Sequence, residues 1–175
     1  FRYFLMREVP FGNDGDFSEA ALVGRINSDL ANDLGNLLNR TLQMIVSYSG
    51  GAVPDCDISN PRSGDALDLE LRALGESTMA LVDQAMETFA YDEALKYVWA
   101  FISRGNKYID ETMPWKLNKE GETKRLHCVL HTLYEVLRLA ALLVAPYVPE
   151  SAEKIWKQLG CTGTPLSVQI DDFRW

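Results

Sequence analysis

The chain has 175 residues, of which 47% are hydrophobic, and its formal net charge is −8. That apolar content suits one domain with a buried core, and no uninterrupted apolar run is long enough to span a membrane. The charge argues against an extended surface that follows nucleic-acid phosphates. The segment 55–95, however, holds ten Asp and Glu against two Lys and Arg. Because this segment carries the whole acidic excess, a small base-reading patch elsewhere remains compatible with the composition.

The start of the chain and its cysteines give two further expectations. Residue 1 is Phe rather than Met and no signal peptide follows it, so we expect a piece of a longer protein. The three cysteines, Cys56, Cys128 and Cys161, are widely spaced and form no CxxC motif. This pattern predicts free thiols in a reducing compartment and no zinc site.

The N-terminal part of the chain is predicted to be an apolar segment, a turn and one long helix. The first ten residues could form either a strand or the end of a helix. Asp16 and Glu19 have the spacing of a capping pair. The helix after them is expected to run from about residue 17 to residue 48, with a kink near residues 31–33, and to end at the glycine pair that follows.

Four further helices are predicted from apolar residues at helical spacing and from the prolines and glycines between them. They cover, approximately, residues 66–89, 92–112, 123–144 and 149–160. Short connections favour antiparallel neighbours. The sequence therefore predicts an all-α antiparallel bundle of about five helices over residues 17–160, followed by a C-terminal tail at 161–175.

One face of the first long helix carries an unusual set of polar residues. Asn32, Asn36, Arg40 and Gln43 lie opposite the apolar stripe, although each Asn costs a helix roughly 0.5–0.7 kcal/mol relative to Ala. Arg40 follows Asn36 by four residues, so an amide and a guanidinium share one face. Together they offer the donors and acceptor needed to pair with the edge of a nucleobase. The alternative is a solvated polar face that binds no ligand.

A second stretch of interest contains Met113-Pro114-Trp115 and is followed by Lys116. Pro114 is expected to end the preceding helix, and its fixed φ angle holds Trp115 at a defined orientation. An indole in this position can stack on an unpaired base, which contributes about 1–3 kcal/mol per base. The alternative is that Trp115 plugs a corner of the bundle.

No catalytic motif is apparent in the sequence. His127 and His131 lie one helical turn apart and could chelate a metal ion, but no third ligand has a suitable spacing and no HExxH glutamate is present. Two ordinary helix histidines are the preferred interpretation, and a metal-dependent enzyme is the least favoured of the alternatives. The motifs of phosphate-binding loops and of serine hydrolases are also absent.

Four long segments carry a family resemblance: RYFLMREVPFGNDGDFS at 2–18, RINSDLANDLGNLLNR at 25–40, NKYIDETMPWKLNK at 106–119 and LLVAPYVPESAEKIWKQLG at 142–160. In these segments the chain resembles the C-terminal, helical anticodon-binding region of methionyl-tRNA synthetases of the bacterial or organellar type, which are class I enzymes. The resemblance covers nearly the whole chain and is weakest between residues 52 and 87. It implies a role in an enzyme that joins methionine to its tRNA with ATP, through a methionyl-adenylate.

The resemblance also assigns roles to the residues singled out above. It implies that Asn36 and Arg40 contact the first base of a CAU anticodon, and that Trp115, after Pro114, packs against the unstacked anticodon bases. We expect supporting RNA contacts from neighbouring polar side chains, namely Asn32, Gln43 and Lys116. No catalytic and no metal-binding residue is expected within the chain.

The remaining implications concern what lies outside the chain. Residues 1–16 are expected to be a short non-helical remnant that joins the bundle to a catalytic domain, where ATP and any zinc ion would bind. The partners would be the anticodon stem-loop of methionine tRNA and that catalytic domain, with no membrane, in the cytoplasm or in an organellar matrix or stroma. A competing hypothesis is a helical protein–protein interaction module that docks through the acidic segment 55–95.

Overall fold

A computed structural model describes residues 1–58, 60, 64–168 and 175 of the chain. The secondary structure of these residues is entirely helical. The α-helices are α1 Arg2–Glu8, α2 Glu19–Arg25, α3 Asn36–Ser49, α4 Ala66–Glu87, α5 Tyr91–Thr112, α6 Pro114–Glu120, α7 Thr123–Val144 and α8 Pro149–Gln158; a π-helical segment Ile26–Gly35 joins α2 to α3, and a 3₁₀ turn covers Pro165–Ser167. The five predicted helices are all present, and α1 and α6 are additional short ones.

The expectation of a non-helical segment at residues 1–16 is wrong for its first half, which forms α1. Tyr3 is buried, and its ring packs on Trp99 of α5 with the centroids 4.8 Å apart. The Tyr3 hydroxyl also donates a hydrogen bond to the buried carboxylate of Asp29 in the π-helical segment. Seven residues are too few to show a helical period in sequence, and this helix is stabilised by its contacts with the bundle rather than by propensity.

The long N-terminal helix is continuous from Glu19 to Ser49 but is not α-helical throughout. Its N-cap is Ser18, whose Oγ accepts a 3.0 Å hydrogen bond from the Ala21 N–H, so the predicted capping role of Asp16 is wrong. The residues of the predicted kink, 31–33, lie inside the π-helical segment, where the wider hydrogen-bond pattern interrupts the regular helix. The helix ends at Gly50 in the left-handed conformation, as predicted.

Helix α7 is the central element of the bundle. It contacts α3, α4, α5, α6 and α8, and most of its side chains are buried. Among the described helices, α7 has the length and apolar composition of a membrane span, but 72% of its most apolar window is buried inside the bundle. This is the position of a core helix packed against other helices.

A close contact at Gly105 sets the spacing of α3, α5 and α7. A Cβ atom at this position would lie 3.0 Å from Val136 Cγ1 on α7 and 3.2 Å from Leu37 Cδ2 on α3. Because only a hydrogen is present, the three helices approach each other closely over a fully buried layer. Helix α3, which carries Asn36 and Arg40, is therefore held closely against the core.

The prediction of free thiols is wrong for two of the three cysteines. Cys56 and Cys128 form a disulfide with a Cα–Cα distance of 5.1 Å, within the usual range, while Cys161 is free. The bonded residues are 72 positions apart in sequence. The spacing of the cysteines in sequence could not reveal this pairing, because the pairing depends on how the loop after α3 returns to α7.

The C-terminal tail packs back on the bundle where it is described. The indole N–H of Trp156 on α8 donates a 2.9 Å hydrogen bond to the carbonyl of Thr162, and the ring of Trp175 lies close to Gly75 on α4. Residues 169–174 of the predicted tail lie outside the described part of the chain.

Candidate nucleic-acid interface

The sharp corner between α5 and α6 determines the orientation of Trp115. Helix α5 ends at Thr112, and Met113 adopts the left-handed conformation with φ 45° and ψ 62°. Pro114 is buried and occupies the first position of α6, where its missing N–H costs no hydrogen bond. The predicted end of the helix before Pro114 is present, and a new helix begins at the same proline.

At this corner the Trp115 indole faces solvent. Its exposed fraction is 47%, whereas Pro114 before it is buried and Leu117 after it packs against the core. These inward-facing neighbours anchor α6, so Trp115 is held outward by its position on the helix. The structure places Trp115 at the surface rather than in the interior position that the corner-plug alternative requires.

The polar face of α3 also points outward. Asn36 is exposed, and 36% of the Arg40 side chain is accessible, while Leu37, Thr41 and Met44 on the opposite side are buried. Among the described residues, no hydrogen-bond partner is found for the Asn36 amide. Its donors and acceptor are therefore available to a ligand.

Three of the predicted residues line one shallow concavity of about 240 Å³. They are Arg40 and Gln43 from α3 and Trp115 from α6. Four further residues complete the lining: Met44, Ser47, Tyr48 and Ile109. Asn36 lies outside this lining, four residues before Arg40 and therefore about 6 Å along the helix axis.

The predicted supporting residues are exposed, but they are not all equivalent. Asn32 belongs to the π-helical segment, one turn before Asn36. Gln43 donates a 3.2 Å hydrogen bond from Nε2 to Asn39, and Lys116 Nζ is 3.9 Å from the Glu120 carboxylate. Of these three, only Gln43 shares the concavity with Arg40.

The cations around the concavity are paired with carboxylates. Arg40 Nη2 donates a 2.6 Å hydrogen bond to Asp110 Oδ1 on α5. The nearby lysines, Lys107 and Lys116, have acidic partners four residues further on, at 3.4 Å and 3.9 Å. This pairing lowers the attraction of the face for phosphate in general, so selective binding here has to come from contacts to bases.

Sequence reasoning missed two features of this face. Tyr48 follows Arg40 by eight residues and so lies on the same side of α3, a relationship that a helical wheel contains. Asp110 is 70 positions from Arg40, and no local pattern links the two residues. Only the packing of α3 against α5 brings the Arg40 guanidinium to the Asp110 carboxylate.

The acidic segment 55–95 is partly neutralised within the bundle. Asp68 is fully buried and accepts hydrogen bonds of 2.6 Å and 2.9 Å from Arg125 on α7 and a further one from the Tyr108 hydroxyl. Glu70 pairs with Arg104 of α5 at 3.0 Å. These carboxylates hold α4 against its neighbours.

The two histidines of α7 lie beside the loop that follows α3. His131 Nδ1 lies 3.1 Å from the Pro54 carbonyl of the loop after α3, and Cys128, beside His127, is part of the disulfide. Within the described ranges, no group of three His, Cys, Asp or Glu side chains has the geometry to hold a metal ion.

A family model described as the anticodon-binding domain of tRNA ligase matches residues 68–173, which is more than half of the chain. The chain belongs to this family. A second model, for class I tRNA synthetases and labelled (M), matches residues 1–42. Together the two models cover both halves of the candidate face, because the first includes Trp115 and the second includes Asn36 and Arg40.

The chain is similar in sequence and in structure to methionine–tRNA ligases. The enzyme of Fusobacterium nucleatum is 46% identical over 175 residues, and the match covers 99% of this chain and 27% of that enzyme. The enzyme of Caldanaerobacter subterraneus is 48% identical over 162 residues, and the match covers 92% of this chain and 25% of that enzyme. The apo structure of Mycobacterium tuberculosis methionyl-tRNA synthetase matches with a TM-score of 0.87 at 39% identity, over 98% of this chain and 34% of that one. The resemblance and the all-α fold predicted from sequence are confirmed. The chain spans between a quarter and a third of these relatives.

Proposed function

We propose that the chain reads the CAU anticodon of methionine tRNA through the face formed by Asn36, Arg40 and Trp115. The observation that carries the proposal is that Arg40 and Trp115, 75 positions apart in sequence, line the same solvent-facing concavity. A hydrogen-bonding fork and an aromatic plane side by side are what recognition of an unstacked loop base requires. Asn36, one turn away on α3, adds a neutral amide to the same face.

Arg40 and Asn36 together suit a cytosine as the first anticodon base. The guanidinium can donate to the cytosine carbonyl oxygen and ring nitrogen, and the amide oxygen of Asn36 can accept from the exocyclic amine. The contact with Asp110 uses an N–H of the Arg40 Nη2 group, and a guanidinium has five N–H donors, so other donors remain for the base. A uracil in this place would leave a polar group unpaired, at a cost of about 1–3 kcal/mol.

Trp115 supplies the stacking surface in this proposal. The half-exposed indole borders the concavity, and Pro114 fixes the start of its helix. A base turned out of the loop can lie on the indole without sequence preference, which supports binding, while the Asn36–Arg40 pair supplies the selectivity. Asn32, Gln43 and Lys116 are proposed as supporting contacts to the loop.

We further propose that the chain acts as part of a longer methionine–tRNA ligase in the cytoplasm. The similar enzymes are three to four times as long, and the adenylate-forming chemistry would belong to a catalytic domain outside residues 1–175. ATP and any zinc ion are expected in that domain. In this arrangement the bundle contributes tRNA selection and no catalytic residue.

A titration of the 175-residue chain with RNA stem-loops tests the anticodon proposal. Tryptophan fluorescence should quench when a stem-loop bearing CAU is added, and replacing the leading C with U should weaken binding about 5- to 150-fold, which corresponds to 1–3 kcal/mol. Equal affinity for both loops would contradict base reading and indicate non-selective charge contacts.

A further inference from the structure

The Cys56–Cys128 disulfide connects two elements that follow α3 and α6 in the chain. Cys56 lies in the loop that follows α3, and Cys128 lies near the start of α7, which follows α6 directly. The same loop also contacts the bundle in two other described places: Ile58 is buried, and the Pro54 carbonyl lies 3.1 Å from the ring of His131. The covalent bond links this loop directly to α7.

The two sulfur-bearing residues differ in accessibility. Cys128 is 1% exposed, whereas Cys56 is partly exposed in its loop. We therefore expect a small thiol in solution to attack the bond from the side of Cys56 rather than from the side of Cys128. Disulfides in reducing compartments are rare and are generally transient or redox-sensing rather than structural, and an accessible sulfur is the feature that makes exchange possible.

We propose that Cys56 and Cys128 are a reversible thiol–disulfide pair that fastens the loop after α3 to α7 under oxidising conditions and releases it under reducing ones. In the reducing direction, a small-molecule thiolate attacks the Cys56 sulfur, the Cys56–Cys128 bond breaks, and Cys128 leaves and takes up a proton. A second small-molecule thiolate then attacks the small-molecule sulfur of this mixed disulfide, and Cys56 leaves and takes up a proton. Two small thiols become one small disulfide, and the protein gains two thiols.

Release is expected to leave the fold intact. The core helices are held by the buried layer around α7, and the loop lies outside this layer. Without the disulfide the unfolded state gains conformational freedom, so the bundle should melt at a lower temperature but with native helicity.

The experiment is a redox titration of the 175-residue chain in buffers of reduced and oxidised glutathione, read by thiol counting and intact mass. The unmodified chain should show three free thiols in the reduced buffer and one, Cys161, in the oxidised buffer. Cys161→Ser is the matched control and should change from two thiols to none. Cys56→Ser should show two thiols in the reduced buffer and form no internal disulfide in the oxidised one.

Thermal unfolding in the same buffers supplies a second readout. The oxidised form should melt about 5–15 °C above the reduced form in the unmodified chain and in Cys161→Ser, and Cys56→Ser should show no such difference. Three free thiols at every glutathione ratio, or glutathione adducts in place of the internal bond, would overturn the proposal. So would a melting difference that persists in Cys56→Ser.

Discussion

The guanidinium of Arg40 on α3 donates a 2.6 Å hydrogen bond to the carboxylate of Asp110 on α5. The accessible fraction is 36% for the Arg40 side chain and 65% for Asp110, so the pair lies at the surface. A pair so exposed contributes little to stability, about 0.2–1 kcal/mol. Its larger effect is to orient the Arg40 guanidinium toward α5 and to offset its charge.

Replacing Asp110 with Asn should therefore strengthen RNA binding. The change removes a carboxylate that repels phosphates and competes for Arg40, and the expected gain in affinity is about 1.5- to 5-fold for CAU and UAU stem-loops alike. The measurement is anisotropy of a labelled stem-loop. Glu111→Gln is the charge-matched control, because Glu111 pairs with Arg104 and Lys107 rather than with Arg40. An equal gain in the control would assign the effect to net charge.

Removing the indole of residue 115 should weaken binding without unfolding the bundle. Trp115→Ala loses base stacking, so the dissociation constant should rise about 5- to 150-fold for both loops, and Trp115→Phe should retain part of the affinity. Labelled-RNA anisotropy and thermal unfolding are measured in parallel. Phe11→Ala, which removes another exposed aromatic ring, should leave affinity unchanged. A melting temperature lowered as much as by a core substitution would indicate a structural role.

Exchanging the Asn36 amide for a carboxylate should alter selectivity more than stability. Asn36→Asp keeps the shape but replaces an amide donor with an acceptor and adds a charge near the RNA, so the preference for CAU over UAU should change and overall affinity should fall. The two loops are compared by competition binding. Asn27→Asp makes the same change nine residues earlier, about 13 Å along the helix. An unchanged preference in Asn36→Asp would remove Asn36 from the reading of the base.

The buried Tyr108–Asp68 hydrogen bond should make the bundle sensitive to alkaline pH. Burial and the neighbouring Asp68 carboxylate raise the pKa of Tyr108 above its usual value. In the unfolded chain tyrosine loses its proton near pH 10, roughly, while folded Tyr108 keeps it. The unfolded state then binds fewer protons, so the free energy of unfolding falls as pH rises above that value.

Tyr108→Phe tests this coupling. It should lower the free energy of unfolding at pH 7 by about 1–2 kcal/mol, because Asp68 loses one hydrogen bond, and it should make the decline between pH 9 and 11 shallower by up to about 1.4 kcal/mol per pH unit. Urea unfolding at several pH values provides both quantities. Tyr97→Phe, a partly exposed tyrosine on the same helix, controls for the loss of one phenol. Parallel pH profiles for Tyr108→Phe and the unmodified chain would contradict the coupling.

The local sequence of this protein determined its helices and the candidate residues on each of them. Apolar spacing, prolines and glycines predicted all five long helices, because helical periodicity is encoded within four or five neighbouring residues. The local sequence also placed Asn36 and Arg40 on one face of their helix and Trp115 directly after the proline at a corner. It did not reveal α1, whose seven residues depend on the contacts of Tyr3 with Trp99 and Asp29.

Only the tertiary structure decided which distant side chains meet. Arg40 and Asp110, Asp68 and Arg125, and Cys56 and Cys128 are separated by 70, 57 and 72 positions, and no local pattern relates the members of any pair. Their meeting follows from the packing of α3, α4 and α5 around α7, which depends on side-chain shapes over the whole core. For the same reason the arrangement of Arg40 and Trp115 around one concavity became visible only in three dimensions.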